Sequence, residues 1–189
     1  MIIGVTGTSG AGKSTIARYF VDNFEFKHIS VRDFLTNMLF EQGKEPSRDN
    51  MRLLANYLRA KEGPDYIVKQ LYREASLYSR SVIESIRTPG EIVTLKELGN
   101  LLLIAIDADV EIRYERVYAR GSSTDKISFE EFQKQEALEQ LSVNPWEQNI
   151  SKCIQMADIA IHVNGGTEEL FRELNTRLVS KENGEIFLS

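Results

Sequence analysis

The stretch that decides the fold of this chain reads Gly7-Thr8-Ser9-Gly10-Ala11-Gly12-Lys13-Ser14-Thr15. Its spacing, Gly-x4-Gly-Lys-Ser, is typical of a loop that binds the phosphates of a nucleotide. Glycines allow consecutive backbone N–H groups to point inward, and the following helix offers its positive N-terminal end to the same anion. We therefore predict that the whole stretch binds ATP, with Lys13 reaching the β- and γ-phosphates and Ser14 coordinating Mg²⁺.

The sequence on both sides of this stretch supports the prediction. Residues 1–6 form an apolar run typical of a buried strand, and the run from Lys13 to Phe24 places apolar residues on one helical face. A phosphate-binding loop requires this order of strand, loop and helix.

Composition restricts the class of protein. The chain has 189 residues, of which 42% are apolar, so we expect one domain over residues 1–189 with a single sizeable core. The net charge of −5 argues against a nucleic-acid-binding surface. The single cysteine, Cys153, cannot form an internal disulfide, and no membrane span or signal peptide is evident. We expect a soluble cytoplasmic protein that binds neither nucleic acid nor membrane, and the oligomeric state stays open.

Apolar strands alternate with helices along the chain, and the predicted strands lie at about residues 1–6, 27–30, 81–87, 101–106 and 158–163. This order predicts an α/β fold of three layers, in which a five-stranded parallel sheet is covered by helices on both faces. In such sheets ligands bind outside the carboxyl ends of the strands. The residues that follow each strand are therefore candidates for the site.

Charged residues after the second strand are candidates for binding an acceptor substrate. Arg32 and Asp33 follow that strand directly, and Asp33 either orients an acceptor hydroxyl or phosphate or caps the next helix. One face of the helix predicted over residues 47–61 carries Arg48, Arg52 and Arg59. That face is either simply solvated or, because guanidinium groups suit phosphate, in contact with an anionic acceptor.

The end of the third strand supplies an acid and an arginine. Glu84 is placed to hold the water shell of Mg²⁺, and Arg87 to clamp a phosphate. The alternative is that Glu84 only pairs with Arg87.

The helix predicted after the fourth strand has arginines on one face, Arg113, Arg116 and Arg120. One or more of them is expected to clamp a phosphate, and Asp109 to cap the helix. The polar segment 121–126 is expected to form a short flap over bound phosphates.

Two further features lie in or beside the predicted strands. His28 and His162 are expected to be core residues. The loop Asn164-Gly165-Gly166 follows the fifth strand, and its backbone can approach a flat ligand closely.

On these residues the chain resembles the superfamily of nucleoside monophosphate kinases and dephospho-CoA kinases, most closely its adenylate kinase-like or dephospho-CoA kinase-like branch. The matching motifs are the phosphate loop from Gly7 to Ser14, Ser30-x-x-Asp33, Glu84 with Arg87, Arg116 with Arg120, and Ala157-Asp158 with Ile161 followed by Asn164 to Gly166.

The resemblance implies a P-loop NTP hydrolase fold with the strand order 2-3-1-4-5. It also implies a helical acceptor-binding insert at about 34–78 and a short lid at about 116–142. In this family the loop at Asn164 and Gly165 lies near the adenine of ATP. The catalytic residues that the resemblance and the charge pattern together indicate are Lys13, Asp33, Arg87, Arg116 and Arg120.

The chain departs from adenylate kinases at the acceptor side. Thr36 stands where they place an arginine, and Glu84 where they have an aspartate. The acceptor site is therefore expected to differ, with Arg32 or the arginines from Arg48 to Arg59 substituting. Similar modules occur fused to deoxycytidylate deaminases, which leaves fusion or association with a nucleotide-metabolising enzyme open.

These observations predict an ATP- and Mg²⁺-dependent kinase that phosphorylates a small phosphorylated acceptor, with a nucleoside or deoxynucleoside monophosphate favoured. One alternative is transfer to a sugar hydroxyl, as in dephospho-CoA, with Asp33 as the proton acceptor. The others are a regulatory nucleotide-binding module without transfer and an NTPase that works on a macromolecular partner.

Overall fold

The computed structural model describes residues 1–121, 127–142 and 144–179. Within these ranges the sheet is built from β1 (Ile2–Gly7), β2 (Lys27–Ser30), β3 (Ser81–Ile86), β4 (Leu101–Asp107) and β5 (Ile159–His162). Neighbouring strands are parallel, and their order is β2-β3-β1-β4-β5. The predicted fold class and strand order are confirmed. Residues 122–126 of the predicted flap lie outside the described ranges.

The helices connect these strands in chain order. They are α1 (Lys13–Phe24), α2 (Val31–Glu41), α3 (Arg48–Glu62), α4 (Tyr66–Ala75), α5 (Pro89–Leu98), α6 (Val110–Arg120), α7 (Phe129–Gln140), α8 (Ile150–Gln155) and α9 (Thr167–Val179). None of the helices in the described ranges is both long and apolar enough to cross a membrane.

Each face of the sheet has its own apolar core. On one face α1 and α9 contribute Phe20 and Leu174, both fully buried, and on the other α4 and α5 contribute Ile67 and Leu95, also fully buried. Burying a side chain of this size stabilises the fold by about 1.5–3 kcal/mol. The two cores hold β1 in the middle of the sheet, and so they fix the place where the phosphate loop begins.

Neither histidine belongs to the core, so that prediction was wrong. β2 and β5 are the edge strands of the sheet, and the side chains of His28 and His162 are 37% and 56% exposed. Edge strands are covered by fewer neighbours than central ones, and alternate residues of β5 face solvent.

Candidate active site

The phosphate loop has the backbone that its glycines predict. Gly7, Gly10 and Gly12 have φ angles of 134°, 80° and 115°, in the region that favours glycine. A Cβ on Gly7 would lie 1.9 Å from the carbonyl oxygen of Ile106, and one on Gly10 would lie 2.4 Å from that of Arg113. The loop therefore packs too closely against β4 and α6 for any other residue at these two positions.

The loop leads straight into α1, whose first residue is Lys13. Gly12 at the N-cap has no side chain to accept from the first N–H groups of the helix, so they can donate to an anion. Lys13 Nζ donates to the carbonyl oxygens of Gly7, at 3.1 Å, and Thr8, at 2.6 Å. Burial, with a smaller contribution from the charge of Arg87, lowers the pKa of Lys13 to about 7.

Beside the loop, Ser14 Oγ donates to Glu84 Oε1 at 2.7 Å, and His28 Nε2 lies 2.9 Å from Glu84 Oε2. Burial raises the pKa of Glu84, but the hydrogen bonds from His28 and Ser14 outweigh it, so the pKa is lowered overall. The hydrogen bond to Glu84 raises the pKa of His28. Glu84 is thus a buried carboxylate held by Ser14 and His28, and the alternative that it only pairs with Arg87 was wrong.

β3 has a bulge directly after Glu84. Val5 pairs with Glu84 but Thr6 pairs with Ile86, so Ser85 is an extra residue in the strand. Ser85 has φ of 72°, which is strained for a residue with a Cβ. A carboxylate and a hydroxyl are oxygen ligands of the kind that Mg²⁺ takes, so Ser14 and Glu84 fit the metal site predicted for them.

A magnesium ion at this site would need the phosphates of the nucleotide as ligands besides Ser14 and Glu84. The described residues contain no cluster of three or more His, Cys, Asp or Glu side chains that could hold a metal. Mg²⁺ commonly takes one or two protein ligands and completes its shell with substrate phosphates and water. The pair of Ser14 and Glu84 matches that use.

A cavity of about 750 Å³ extends from the phosphate loop across the carboxyl ends of the strands. Its lining includes residues 9–15, Glu84, Ser85, Glu139, Gln148 and the arginines Arg18, Arg32, Arg48, Arg52, Arg59, Arg87, Arg116 and Arg120. The cavity is therefore strongly basic. It brings the predicted donor residues and the predicted acceptor arginines into one space.

Asp33 is not part of this lining. It is exposed in the first turn of α2, and its backbone N–H donates to the Ser30 hydroxyl at 3.2 Å. Ser30, not Asp33, is therefore the helix cap.

Three of the predicted acceptor arginines already have acidic partners. Arg48 Nε donates to Glu139 Oε1 at 2.9 Å, and Arg87 Nη1 donates to Glu139 Oε2 at 2.8 Å and to Gln148 Oε1 at 3.0 Å. Arg52 makes an ion pair of 3.2 Å with Asp49 on the same helix. The simple solvated face considered for α3 is thus wrong for Arg48.

Arg59 is a structural residue as well as a lining one. It is 1% exposed and pairs with the fully buried Glu91 at 2.7 Å, which ties α3 to α5. Glu91 in turn completes a capping box with Thr88 at the start of α5. Removing one partner of such a pair leaves a buried charge and is strongly destabilising.

The three arginines of α6 have different surroundings. Arg113 is buried, forms an ion pair with Glu136 of α7 and donates to the carbonyl oxygen of Ala108 at 2.7 Å. It does not line the cavity, so the predicted cluster reduces to Arg116 and Arg120. Arg116 Nη2 donates to the carbonyl oxygen of Gly165 at 2.6 Å and so links α6 to the loop after β5.

The loop after β5 is fixed by Asp109. Asn164 Oδ1 accepts from the backbone N–H of Asp109 at 2.8 Å, and Asn164 Nδ2 donates to Asp109 Oδ2 at 2.8 Å. Asp109 occupies the N-cap position of α6, but its side chain makes no capping hydrogen bond. Gly165 lines the cavity, whereas Asn164 does not and its side chain contacts Asp109 instead.

The sequence reasoning missed Glu139, Gln148 and His28. All three contact predicted site residues. Glu139 lies on the charged helix α7, Gln148 in the connection before α8, and His28 on the edge strand β2. Nothing in the local pattern marks them. The only available signal was the spacing of Glu136 and Glu139, one helical turn apart on α7, and both prove to be buried.

A glycine loop of this backbone, placed between the first strand and first helix of a 2-3-1-4-5 parallel sheet, defines a P-loop nucleoside-triphosphate-binding protein of the kinase-like type. A family described as an AAA domain matches residues 3–139, and the chain belongs to that family.

Individual proteins resemble this chain in sequence or in fold. UPF0200 protein TK1334 of Thermococcus kodakarensis is 26% identical over 184 residues, covering 92% of this chain and 94% of that protein. A shikimate kinase from Aquifex aeolicus has a TM-score of 0.56 at 18% identity, covering 98% of this chain and 100% of that chain. A gluconokinase from Sinorhizobium meliloti has a TM-score of 0.57 at 17% identity, covering 96% and 93%. At these identities the structural likeness establishes the fold alone.

Proposed function

We propose that this protein is an ATP- and Mg²⁺-dependent phosphotransferase that moves the γ-phosphoryl group to a small phosphorylated acceptor, favouring a nucleoside or deoxynucleoside monophosphate. The observation that carries the proposal is the cavity, which joins the phosphate loop to Arg32, Arg48, Arg52 and Arg87 from other elements. Arginine forks suit phosphate. A protein that only hydrolyses or senses a nucleotide would not require this second basic region.

On the donor side, the loop amides and Lys13 would hold the β- and γ-phosphates. Ser14 and Glu84 would hold Mg²⁺, which supplies neutralising charge to the phosphate oxygens when bound. His28 keeps Glu84 turned toward Ser14 through its hydrogen bond. Gly165 would lie against the nucleotide base, at the end of the cavity where Arg116 fixes the loop.

On the acceptor side, Arg32, Arg48, Arg52 and Arg87 would bind the acceptor phosphate. An oxygen of that phosphate bonds to the γ-phosphorus while the bond from phosphorus to the β-phosphate oxygen breaks, and ADP leaves. Arg116 and Arg120 would offset the charge on the transferring group.

An acceptor phosphate needs no general base, because it is already an anion near neutral pH. A sugar hydroxyl would need one. Asp33, the base predicted for that case, is exposed and does not line the cavity. This favours a phosphate acceptor over a hydroxyl acceptor of the dephospho-CoA kind.

The test is a transfer assay on the purified full chain. Mg²⁺ and ATP are supplied with each ribo- and deoxyribonucleoside monophosphate and with dephospho-CoA, and the phosphorylated products are separated and quantified. We expect transfer to at least one monophosphate, and none in Lys13→Ala, which loses the charge on the phosphate loop. ATP binding without transfer to any acceptor would replace the proposal with a regulatory nucleotide-binding module. Hydrolysis that only a macromolecular partner stimulates would replace it with an NTPase.

A further inference from the structure

Glu139 lies in an unusual place for an acidic side chain. Its carboxylate is inside the cavity, 6% exposed, and bridges Arg48 of α3 and Arg87 after β3 with one oxygen for each. Burial raises the pKa of Glu139, but the charges of Arg87 and Arg48 outweigh it and lower the pKa to about 2. Glu139 is therefore an anion that the protein itself holds between two arginines.

The bridge leaves some guanidinium N–H groups beside it without a hydrogen-bond acceptor. Arg48 Nη2 is buried without a hydrogen-bond partner in the described part of the chain, and so is Arg59 Nη1. Both residues line the cavity. A buried guanidinium N–H without an acceptor is costly. A carboxylate has two oxygens and both are used here, whereas a phosphate has three terminal oxygens and can satisfy more of these donors.

We propose that Glu139 stands in for the acceptor's phosphate between Arg48 and Arg87, and that an acceptor binds only by displacing it. That this phosphate belongs to an acceptor substrate rests on the proposed function. A ligand must displace a buried carboxylate that has two guanidinium partners. A phosphate dianion carries more charge than this carboxylate and can displace it, whereas a simple carboxylate cannot. Glu139 thereby determines which anions the acceptor side accepts.

Displacement also links binding to the position of α7. Glu139 is the next-to-last residue of that helix, and Glu136 one turn earlier is anchored to Arg113 of α6. When a phosphate replaces Glu139, the C-terminal turn of α7 loses its contact with the cavity while the preceding turn stays attached. Gln148, which shares Arg87 with Glu139, lies in the connection to α8 and is affected too.

The test measures binding of inorganic phosphate to the full chain by calorimetry. Glu139→Gln keeps the shape of the side chain but removes the competing charge, and we expect the dissociation constant for phosphate to fall about tenfold or more. The matched control is Glu130→Gln on the same helix, where the side chain is exposed and paired with Lys134, and it should leave phosphate affinity unchanged. Adding Arg48→Gln to Glu139→Gln should abolish the gain, which assigns it to this position and not to the phosphate loop.

Unchanged or weaker phosphate binding in a folded Glu139→Gln protein overturns the inference. A second measurement on the wild type does not depend on that variant folding. Amide hydrogen exchange over residues 129–140 should rise when phosphate is added, and no rise also overturns the inference. Neither measurement requires turnover. If every transfer assay failed, the proposed function would be wrong, but the phosphate affinities and the hydrogen exchange would still test the displacement of Glu139.

Discussion

Ser14 Oγ lies 2.7 Å from Glu84 Oε1, although 70 residues separate them in the chain. The contact exists because β3 lies beside β1, so the end of β3 meets the first turn of α1. Two oxygen ligands are thereby brought to one point beside the phosphate loop.

Glu84→Gln should therefore weaken the use of magnesium. An amide is a poorer ligand than a carboxylate for this hard cation, and it loses the charge that holds His28 in place. We expect the Mg²⁺ concentration that half-saturates ATP binding to rise about tenfold or more. Calorimetric titration of ATP at several Mg²⁺ concentrations measures it, with Glu97→Gln on the exposed side of α5 as the control. An unchanged requirement for Mg²⁺ would contradict the assignment of Glu84.

ATP binding should take up a proton at about pH 8. The pKa of Lys13 is lowered to about 7, first by burial and then by Arg87, so the amine is largely neutral at that pH in the free protein. Bound phosphates favour its charged form and raise the pKa, so a proton is absorbed on binding. Below about pH 6 the amine is already charged, and the uptake should vanish.

Calorimetry in two buffers of different ionisation enthalpy measures this uptake, because the apparent binding enthalpies then differ. Lys13→Arg keeps a permanent positive charge and should abolish the difference at about pH 8. Equal enthalpies for the wild type in the two buffers would show that Lys13 is charged before ATP arrives.

Ser85→Gly should stabilise the protein. The φ of 72° at Ser85 is strained for a side chain with a Cβ, and glycine relieves a strain of about 1 kcal/mol. The control is Ser76→Gly, where φ is −68° and there is no strain to relieve. This substitution adds freedom to the unfolded chain and removes the hydrogen bond that Ser76 Oγ donates to the carbonyl oxygen of Arg73 at 2.9 Å, so stability should fall. Urea unfolding gives both values. A loss of stability in Ser85→Gly equal to that in Ser76→Gly would refute the strain.

The fold and the donor side of the site follow from local sequence patterns. Strand and helix periodicity gave the confirmed three-layer fold, and the end of a parallel strand is where a ligand residue such as Glu84 must lie. Lys13 and Ser14 are fixed by the loop motif itself. These features depend on near neighbours in the chain or on the general geometry of parallel sheets.

The pairing of buried charges does not follow in this way. Arg113 and Arg116 are both arginines on one helix, yet Arg113 is buried against Glu136 and only Arg116 lines the cavity. Their roles are decided by how α6 packs on α7. Glu139 is likewise an ordinary acid of a charged helix until the fold places it between two arginines.

The free energy of unfolding should depend on pH through the ionisation of Glu139. Its pKa in the folded protein is about 2, against an ordinary value of 4.5, so the folded state releases the proton more readily than the unfolded state. The resulting stabilisation is fully present above about pH 4.5 and is lost as the pH falls through about 2. It amounts to on the order of 3 kcal/mol. In urea unfolding, Glu139→Gln should be less stable than the wild type at neutral pH, and the difference should shrink in acid. A difference that is constant with pH would contradict this account.

Arg113 and Arg120 should separate stability from catalysis. Arg113→Met leaves the buried carboxylate of Glu136 without its partner, so the free energy of unfolding should fall by about 3–5 kcal/mol. Adding Glu136→Leu removes the orphaned charge and should recover much of that loss.

Arg120 is exposed at the end of α6 and lines the cavity, so Arg120→Ala should change stability by no more than about 0.5 kcal/mol. The same variant should reduce phosphoryl transfer about tenfold or more, because charge on the transferring group is no longer offset. Urea unfolding and the transfer assay on the three variants decide the matter, and an Arg113→Met protein as stable as the wild type would show that the buried pair is not structural.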